Sequence, residues 1–270
     1  MSLYDIIDEI AEKQTTKSDT GDPRVYGAMI GLVTQNYNKD MPGRVCVSIP
    51  TRDNEANELQ WVRVAHTSGG SKWGHYFLPE VGDQVLLVFE GGNIEKPYVV
   101  GCIPKDGDRF LTGSVDAKNK TKRIVTKNGS ELRFEDGEDA KGDRDKITLT
   151  TAGGTHRMRL DNSEGVMEIA DKKNENTVKL RTKDGAVEIK AKSRLTITVG
   201  ENIKLTLNGD SGGLRVECDS LTVSASKKLS VTTDGMMKVQ AAQVSEKASS
   251  MYKLESSGIV KIAGSPIKIG

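Results

Sequence analysis

The stretch KDGAVEIKAKSRLTITVGENIKLTLNGDSGGLRVECDSLTVSASKKLSVTTDG, residues 183–235, decides the fold. Apolar and polar residues alternate through it: Val187, Ile189 and Ala191; Leu195, Ile197 and Val199; Ile203, Leu205 and Leu207; Leu214, Val216 and Cys218. A two-residue period sends successive side chains to opposite faces, so each run is predicted to be a strand with one buried face. The runs recur eight residues apart, from Leu195 to Ile203, Leu221 to Leu229, Leu229 to Met237, Met251 to Ile259 and Ile259 to Ile267. Turn residues separate them at Gly200-Glu201-Asn202, Asn208-Gly209-Asp210 and Asp234-Gly235, as a short β repeat requires.

Eight residues are too few for one coil of a single-chain solenoid with its own interior. Three chains, each giving one such strand and corner, could close a triangular prism. Its interior must be thin, because no Phe, Tyr or Trp occurs between Glu135 and Met251. Val, Ile and Leu fill a thin core and suit the pleat, and closure by partner chains removes unpaired strand edges. The expectation is a mainly β chain ending in an intertwined homotrimeric β-prism. Leu195, Ile197, Val199, Ile203, Leu205 and Leu207 belong to its core. The alternative is a monomeric sheet domain with irregular hairpins.

Composition bounds the rest. At 270 residues the chain allows one or two domains. Apolar residues make up 36% and aromatics 4%, a thin supply for one large globular core. Lys and Arg number 39 against 38 Asp and Glu, so no long-range field draws nucleic acid or anionic membrane. Cys46, Cys102 and Cys218 have no CxxC spacing, which favours reduced thiols over a disulfide framework. No apolar run approaches the roughly 20 residues that span a bilayer. The acidic start MSLYDIIDEIAEK lacks the basic, then apolar order of a signal peptide. The expectation is synthesis in a bacterial cytoplasm, with exit by lysis or through a machine.

Leu3, Ile6, Ile7 and Ile10 fall on one face of a predicted helix over 2–14, with Asp5, Asp8, Glu9 and Glu12 largely opposite. So short a helix is marginal alone and must dock, either on its own domain or on a partner. The polar run TTKSDTGD, 15–22, reads as a linker. Five strands are then predicted: AMIGLVT (28–34), RVCVSI (44–49), QWVRVA (60–65), QVLLVFE (84–90) and YVVGCI (98–103). In the fourth, Val85, Leu86, Leu87 and Val88 suggest burial on both faces. Five strands in so short a span suggest a small closed barrel, naturally an OB-fold. The predicted organisation is helix and linker 1–22, barrel 23–105, linker 106–122 and needle 123–270.

Here the residues resemble a family. The ordered signals are Gly43-Arg44-Val45, Trp61-Val62-Arg63-Val64, Gly74 through Phe77-Leu78-Pro79, Val81-Gly82-Asp83-Gln84-Val85, and Lys96-Pro97 leading to Gly101. They are similar to the OB domain of contractile-tail spikes, which include baseplate assembly protein V, the tail-lysozyme spike and the VgrG proteins of type VI secretion. TKRIVTKNGSELRFEDGED, 121–139, also resembles the start of the VgrG needle. The resemblance implies a homotrimeric central spike that docks on a separate trimeric baseplate hub and meets the target envelope only transiently. It also implies a small PAAR-like tip protein at the C-terminal end, touching Pro266, Ile267, Ile269 and Gly270. The docking helix would present Leu3, Ile6, Ile7 and Ile10 to the hub. Set against that family's pattern, a short linker stands where the tail-lysozyme spike has its lysozyme domain, some 22 residues precede the barrel where VgrG has a hub domain, and no histidine follows His156, so a spike of barrel and needle alone is expected.

Catalytic chemistry finds little footing. His66, His75 and His156 lie in no nucleophilic constellation and in no HExxH. His66 and His75 could share a metal but lack a third ligand, so loop roles fit better. EDGEDAKGDRD, 135–145, lacks the EF-hand order and reads as a solvated insertion rather than a calcium site. Trp61 and Trp73 read as barrel core or lid packing more readily than as binding aromatics. No catalytic residue, cofactor, metal or nucleic-acid partner is expected. The competing function is an OB module gripping glycan or oligonucleotide on a β stalk, against which the missing basic, aromatic-interleaved stripe stands. A cell-wall hydrolase is a third reading, opposed by the missing constellation.

Overall fold

Alternation in the first half of the chain builds a barrel. A computed structural model describes residues 4, 6, 7, 24–52, 57–138 and 141–268. Strands β1 (Met29–Gln35), β2 (Arg44–Ser48), β3 (Glu58–Val64), β4 (Gln84–Phe89) and β5 (Pro97–Cys102) close in the order β1-β2-β3-β5-β4. All pairings are antiparallel except β3 with β5. Each predicted barrel strand is present within two residues of its expected ends. Val33, Val45, Val47, Ile49, Val62, Val85, Leu87 and Val99 fill the interior. In β4 only Val85, Leu87 and Phe89 are buried, while Leu86 and Val88 are half-buried. The expectation of burial on both faces is corrected: a closed barrel has one inner face, and the outer one meets solvent. Gly31 permits this closure, since a Cβ there would stand 2.2 Å from Val47 Cγ1.

Punctuation follows the expected chemistry. Before β4, Glu80 N–H donates to Asp83 Oδ2 (2.8 Å) and Asp83 N–H to the Glu80 carbonyl (3.0 Å), with Gly82 at φ 94°. Pro97 opens β5, where its missing donor costs least. The span 106–122 is mostly outside regular structure. It holds a short helix, α1 (Arg109–Thr112), against which Arg123 packs: its guanidinium lies 5.3 Å from the Phe110 ring centre and donates to the Phe110 carbonyl at 2.9 Å.

Beyond the barrel come β6 (Thr121–Val125), β7 (Glu131–Glu135), β8 (Lys146–Thr150), β9 (His156–Asp161), β10 (Val166–Asp171), β11 (Thr177–Arg181) and β12 (Ala186–Lys190). They form one seven-stranded antiparallel sheet in sequence order. Strands β13 (Arg194–Val199), β14 (Ile203–Asn208) and β15 (Gly213–Glu217) form a three-stranded sheet. The chain divides into two compact units, Met1–Leu195 with Leu207–Gly213, and Thr196–Thr206 with Leu214–Gly270.

Two features of the single chain bear on the expected prism. Over 121–190, and again over 194–217, the strands pair with their sequence neighbours, since short turns such as Asp161–Gly165 and Arg181–Gly185 return the chain antiparallel at once. Between 219 and 268, where the eight-residue repeat predicts strands, no described residue is in one, and every apolar side chain is exposed. At the N-terminus, Tyr4, Ile6 and Ile7 are helical and exposed. Leu3 and Ile10 lie outside the described residues, as do Ile269 and Gly270.

Candidate functional site

Cross-strand register sorts the seven-stranded sheet into two chemically opposite faces. One row of directly opposed residues runs Ile124, Leu132, Leu149, Met158, Ile169, Val178, Ile189 across all seven strands. A second runs Phe134, Ile147, Leu160, Met167, Leu180, Val187. All are apolar. Leu132 and Leu160 are half-buried and the rest exposed. With strands about 4.8 Å apart and a five-residue strand about 17 Å long, this face covers roughly 500 Å² in projection. That is at the upper end of what monomers leave bare.

The other face is ionic and, by contrast, well covered. Glu168 is 6% exposed at its centre, accepting from Arg157 Nη2 (2.9 Å) and paired with Lys179 Nζ (3.2 Å). Asp161 is 2% exposed, paired with Lys146 Nζ (3.1 Å) and Arg159 Nη1 (3.2 Å), and accepts the Glu164 N–H (2.9 Å). Burial alone would raise both carboxyl pKa values. For Glu168, the hydrogen bonds and charges of Arg157 and Lys179 win and hold it below the usual carboxylate range. For Asp161, the Glu164 N–H with Lys146 and Arg159 does the same. The long side chains that neutralise each carboxylate also cover it.

The predicted core residues of 195–207 behave like the apolar rows. Ile197, Val199, Ile203 and Leu207 are exposed, and Leu195 and Leu205 half-buried. Pro266 and Ile267 are likewise exposed. The charged loop 135–145 pairs with its own chain, Glu138 with Lys118 (3.3 Å) and Lys120 (3.1 Å), and Asp136 with Lys122 (2.9 Å).

On the barrel, three motif fragments distant in sequence converge. Arg44, Trp61, Arg63, Lys96, Pro97 and Tyr98 line one cleft of about 330 Å³, together with Glu90 and Glu95. Register places both Gln60 and Trp61 opposite Cys46, a β-bulge, and Trp61 takes φ 51°. A left-handed tryptophan is costly, and the bulge re-aims its side chain. Tyr98 Oη donates to Glu90 Oε2 (2.9 Å), and this hydrogen bond, with the carboxylate's charge behind it, raises the phenol pKa. Neither tryptophan is core: Trp61 is half-buried beside this cleft and Trp73 is exposed on the β3–β4 loop. Both histidines of that loop lie against rings, His75 stacked on Phe77 at 4.7 Å and His66 at 5.8 Å from Tyr76. Among the described residues no group of three or more His, Cys, Asp or Glu could hold a metal ion. None of the helices among the described residues is long and apolar enough to cross a membrane. The arrangement offers surfaces to be covered.

Comparison with known proteins agrees with this geometry. Residues 29–103 match the family described as the type VI secretion system/phage-baseplate injector OB domain. Over 125 residues the chain is 30% identical to the type VI secretion system spike protein VgrG2a of Pseudomonas aeruginosa, covering 42% of this chain and 15% of that protein. It is 34% identical over 125 residues to VgrG3 of Vibrio cholerae, with 42% and 12% covered. VgrG1a of Pseudomonas aeruginosa is 26% identical over 123 residues, with 42% and 19% covered. The matched stretch is thus less than a fifth of the length of each of these relatives. Residues 29–103 thus match an injector OB domain of the type VI secretion and phage-baseplate kind, on a chain similar over 42% of its length to VgrG spike proteins.

Proposed function

We propose that the protein is the non-enzymatic central spike of a contractile tail or contractile injection particle, working as a homotrimer. The observation that carries this is the double apolar row on the seven-stranded sheet, left bare by its own chain and backed by an ionic face suited to water. Three copies turning these rows inward make a prism with a dry core and a charged exterior. The eight-residue repeat of 219–268, exposed and outside any strand among the described residues, pairs between copies in the same assembly and gains its β-ladder there. A rod so closed unfolds slowly, the property a puncturing needle needs on sheath contraction.

The organisation 1–22, 23–105, 106–122 and 123–270 then has a division of labour. The barrel and the helix face of Leu3, Ile6, Ile7 and Ile10 meet a trimeric baseplate hub. The C-terminal segment, at Pro266, Ile267, Ile269 and Gly270, takes a small PAAR-like tip protein. Exposure of Ile6, Ile7 and Ile267 in the single chain supports both contacts. Electron cryomicroscopy of the particle tests the reading. It predicts threefold density for this chain on the central axis of the baseplate. Density elsewhere, or loss of the chain without loss of envelope breach, contradicts it.

A further inference from the structure

Four of the chain's twelve aromatic side chains gather at one end of the barrel. Trp73, Tyr76 and Phe77 come from the loop joining β3 to β4, and Tyr37 from the loop joining β1 to β2. All four are exposed, Tyr37 at 79%, Trp73 at 68% and Tyr76 at 66%, with Met41 exposed beside them in sequence. The two loops are tied together. Asn36 Nδ2 donates to the Pro79 carbonyl (3.1 Å), and a Tyr76 ring carbon lies 4.0 Å from where a Gly43 Cβ would stand.

This patch is pre-set rather than floppy. A bridge joins Gly69 to Gly74, Gly70 N–H donates to the Trp73 carbonyl (2.7 Å) and His75 N–H to the Ser68 carbonyl (3.0 Å). The Trp73 indole lies against Gly70, whose missing Cβ would stand 2.6 Å from Nε1. Outward rings already held in place lose little freedom on association, and Trp, Tyr and Met are the residues that anchor interfaces. At about 150–250 Å² per aromatic side chain, four rings half to four-fifths exposed present roughly 500 Å². A self-sufficient interface needs about 800 Å² per partner, so this patch belongs to a larger one. The larger one starts next to it. Lys127, in the β6–β7 turn where the apolar rows begin, pairs with Glu80 at 2.9 Å, one residue from Pro79.

We infer that the Trp73–Phe77 loop, with Tyr37, is the contact of the barrel with the barrel of a second copy of this chain. The inference rests on the trimeric reading above and adds where the barrels touch. Hydroxyl-radical footprinting of the purified full chain, on material of measured native mass, tests it. In the trimer, Trp73 and Tyr76 are expected to label several-fold more slowly than Tyr26, which is similarly exposed in the single chain at 75%. In a Trp73→Ala/Tyr76→Ala variant the trimer mass should persist while Tyr37 labels several-fold faster. Labelling of Trp73 at the Tyr26 rate in an intact trimer overturns the inference and leaves the trimer standing. So does protection that appears only when hub protein or envelope glycan is added. A monomeric mass overturns both.

Discussion

Replacing Ile169 separates an assembly from a free sheet. Ile169 sits mid-strand in β10, directly opposed to Met158 and Val178, and is 53% exposed in the single chain. Full burial of an isoleucine is worth about 1.5–3 kcal/mol, so covering the exposed half gains roughly 0.8–1.5 kcal/mol per copy. Over three copies, Ile169→Ala should weaken the trimer by roughly 2.5–4.5 kcal/mol, a loss of about two to three powers of ten in its association constant. Ile169→Asp adds several kcal/mol per copy for an unpaired carboxylate in a dry core and should leave no trimer at micromolar concentration. The control is Glu188→Gln on the other face, which removes an exposed pair with Arg181 Nε (2.8 Å) and should cost at most about 1 kcal/mol. Light scattering over a dilution series reads the masses. Ile169→Asp behaving like Glu188→Gln would refute the reasoning, because it would make Ile169 an ordinary surface residue.

Three further outcomes follow from the same geometry. Glu168 and Asp161 have lowered pKa values in the fold, so their stabilisation is complete above the ordinary carboxylate range and lost as pH falls through the folded values. Urea midpoints should therefore be flat from about pH 7 to 5 and fall below about pH 4, with a shallower fall in Glu168→Gln; an unchanged slope in that variant would contradict the ionic account. Leu205→Asp should abolish trimer or solubility while Lys204→Asp is nearly silent, and equal effects measured by native mass would show the register is wrong. Deleting Ser265–Gly270 should leave a trimer that no longer retains the tip protein in a pull-down, whereas undiminished retention would place that partner elsewhere.

The barrel was legible because its strands are short, alternating and punctuated by Gly82-Asp83 and Pro97, all local signals. The apolar face was legible too, since Ile169, Val178 and Ile189 alternate with Glu168, Lys179 and Glu188. What covers that face was not, because an alternating strand has the same pattern whether its partner is its own neighbour or another chain. The eight-residue period points to pairing between chains through 183–217, where β12 to β15 also have neighbours within the chain. Trp61 and Trp73 were misjudged as packing residues for a different reason. A bulge turns Trp61 toward the cleft, and a loop folded on Gly70 presents Trp73 outward, and neither backbone state follows from residue type. The gathering of Arg44, Trp61, Arg63 and Lys96 likewise depends on the parallel neighbour relation of β3 and β5, which no local pattern encodes.

The central claim is that two further copies complete what one chain leaves bare, and the native mass of the purified protein tests it most directly. The account predicts three times 29.3 kDa, persisting on dilution to low micromolar concentration and in SDS without boiling. A single 29.3 kDa species under native conditions would contradict it.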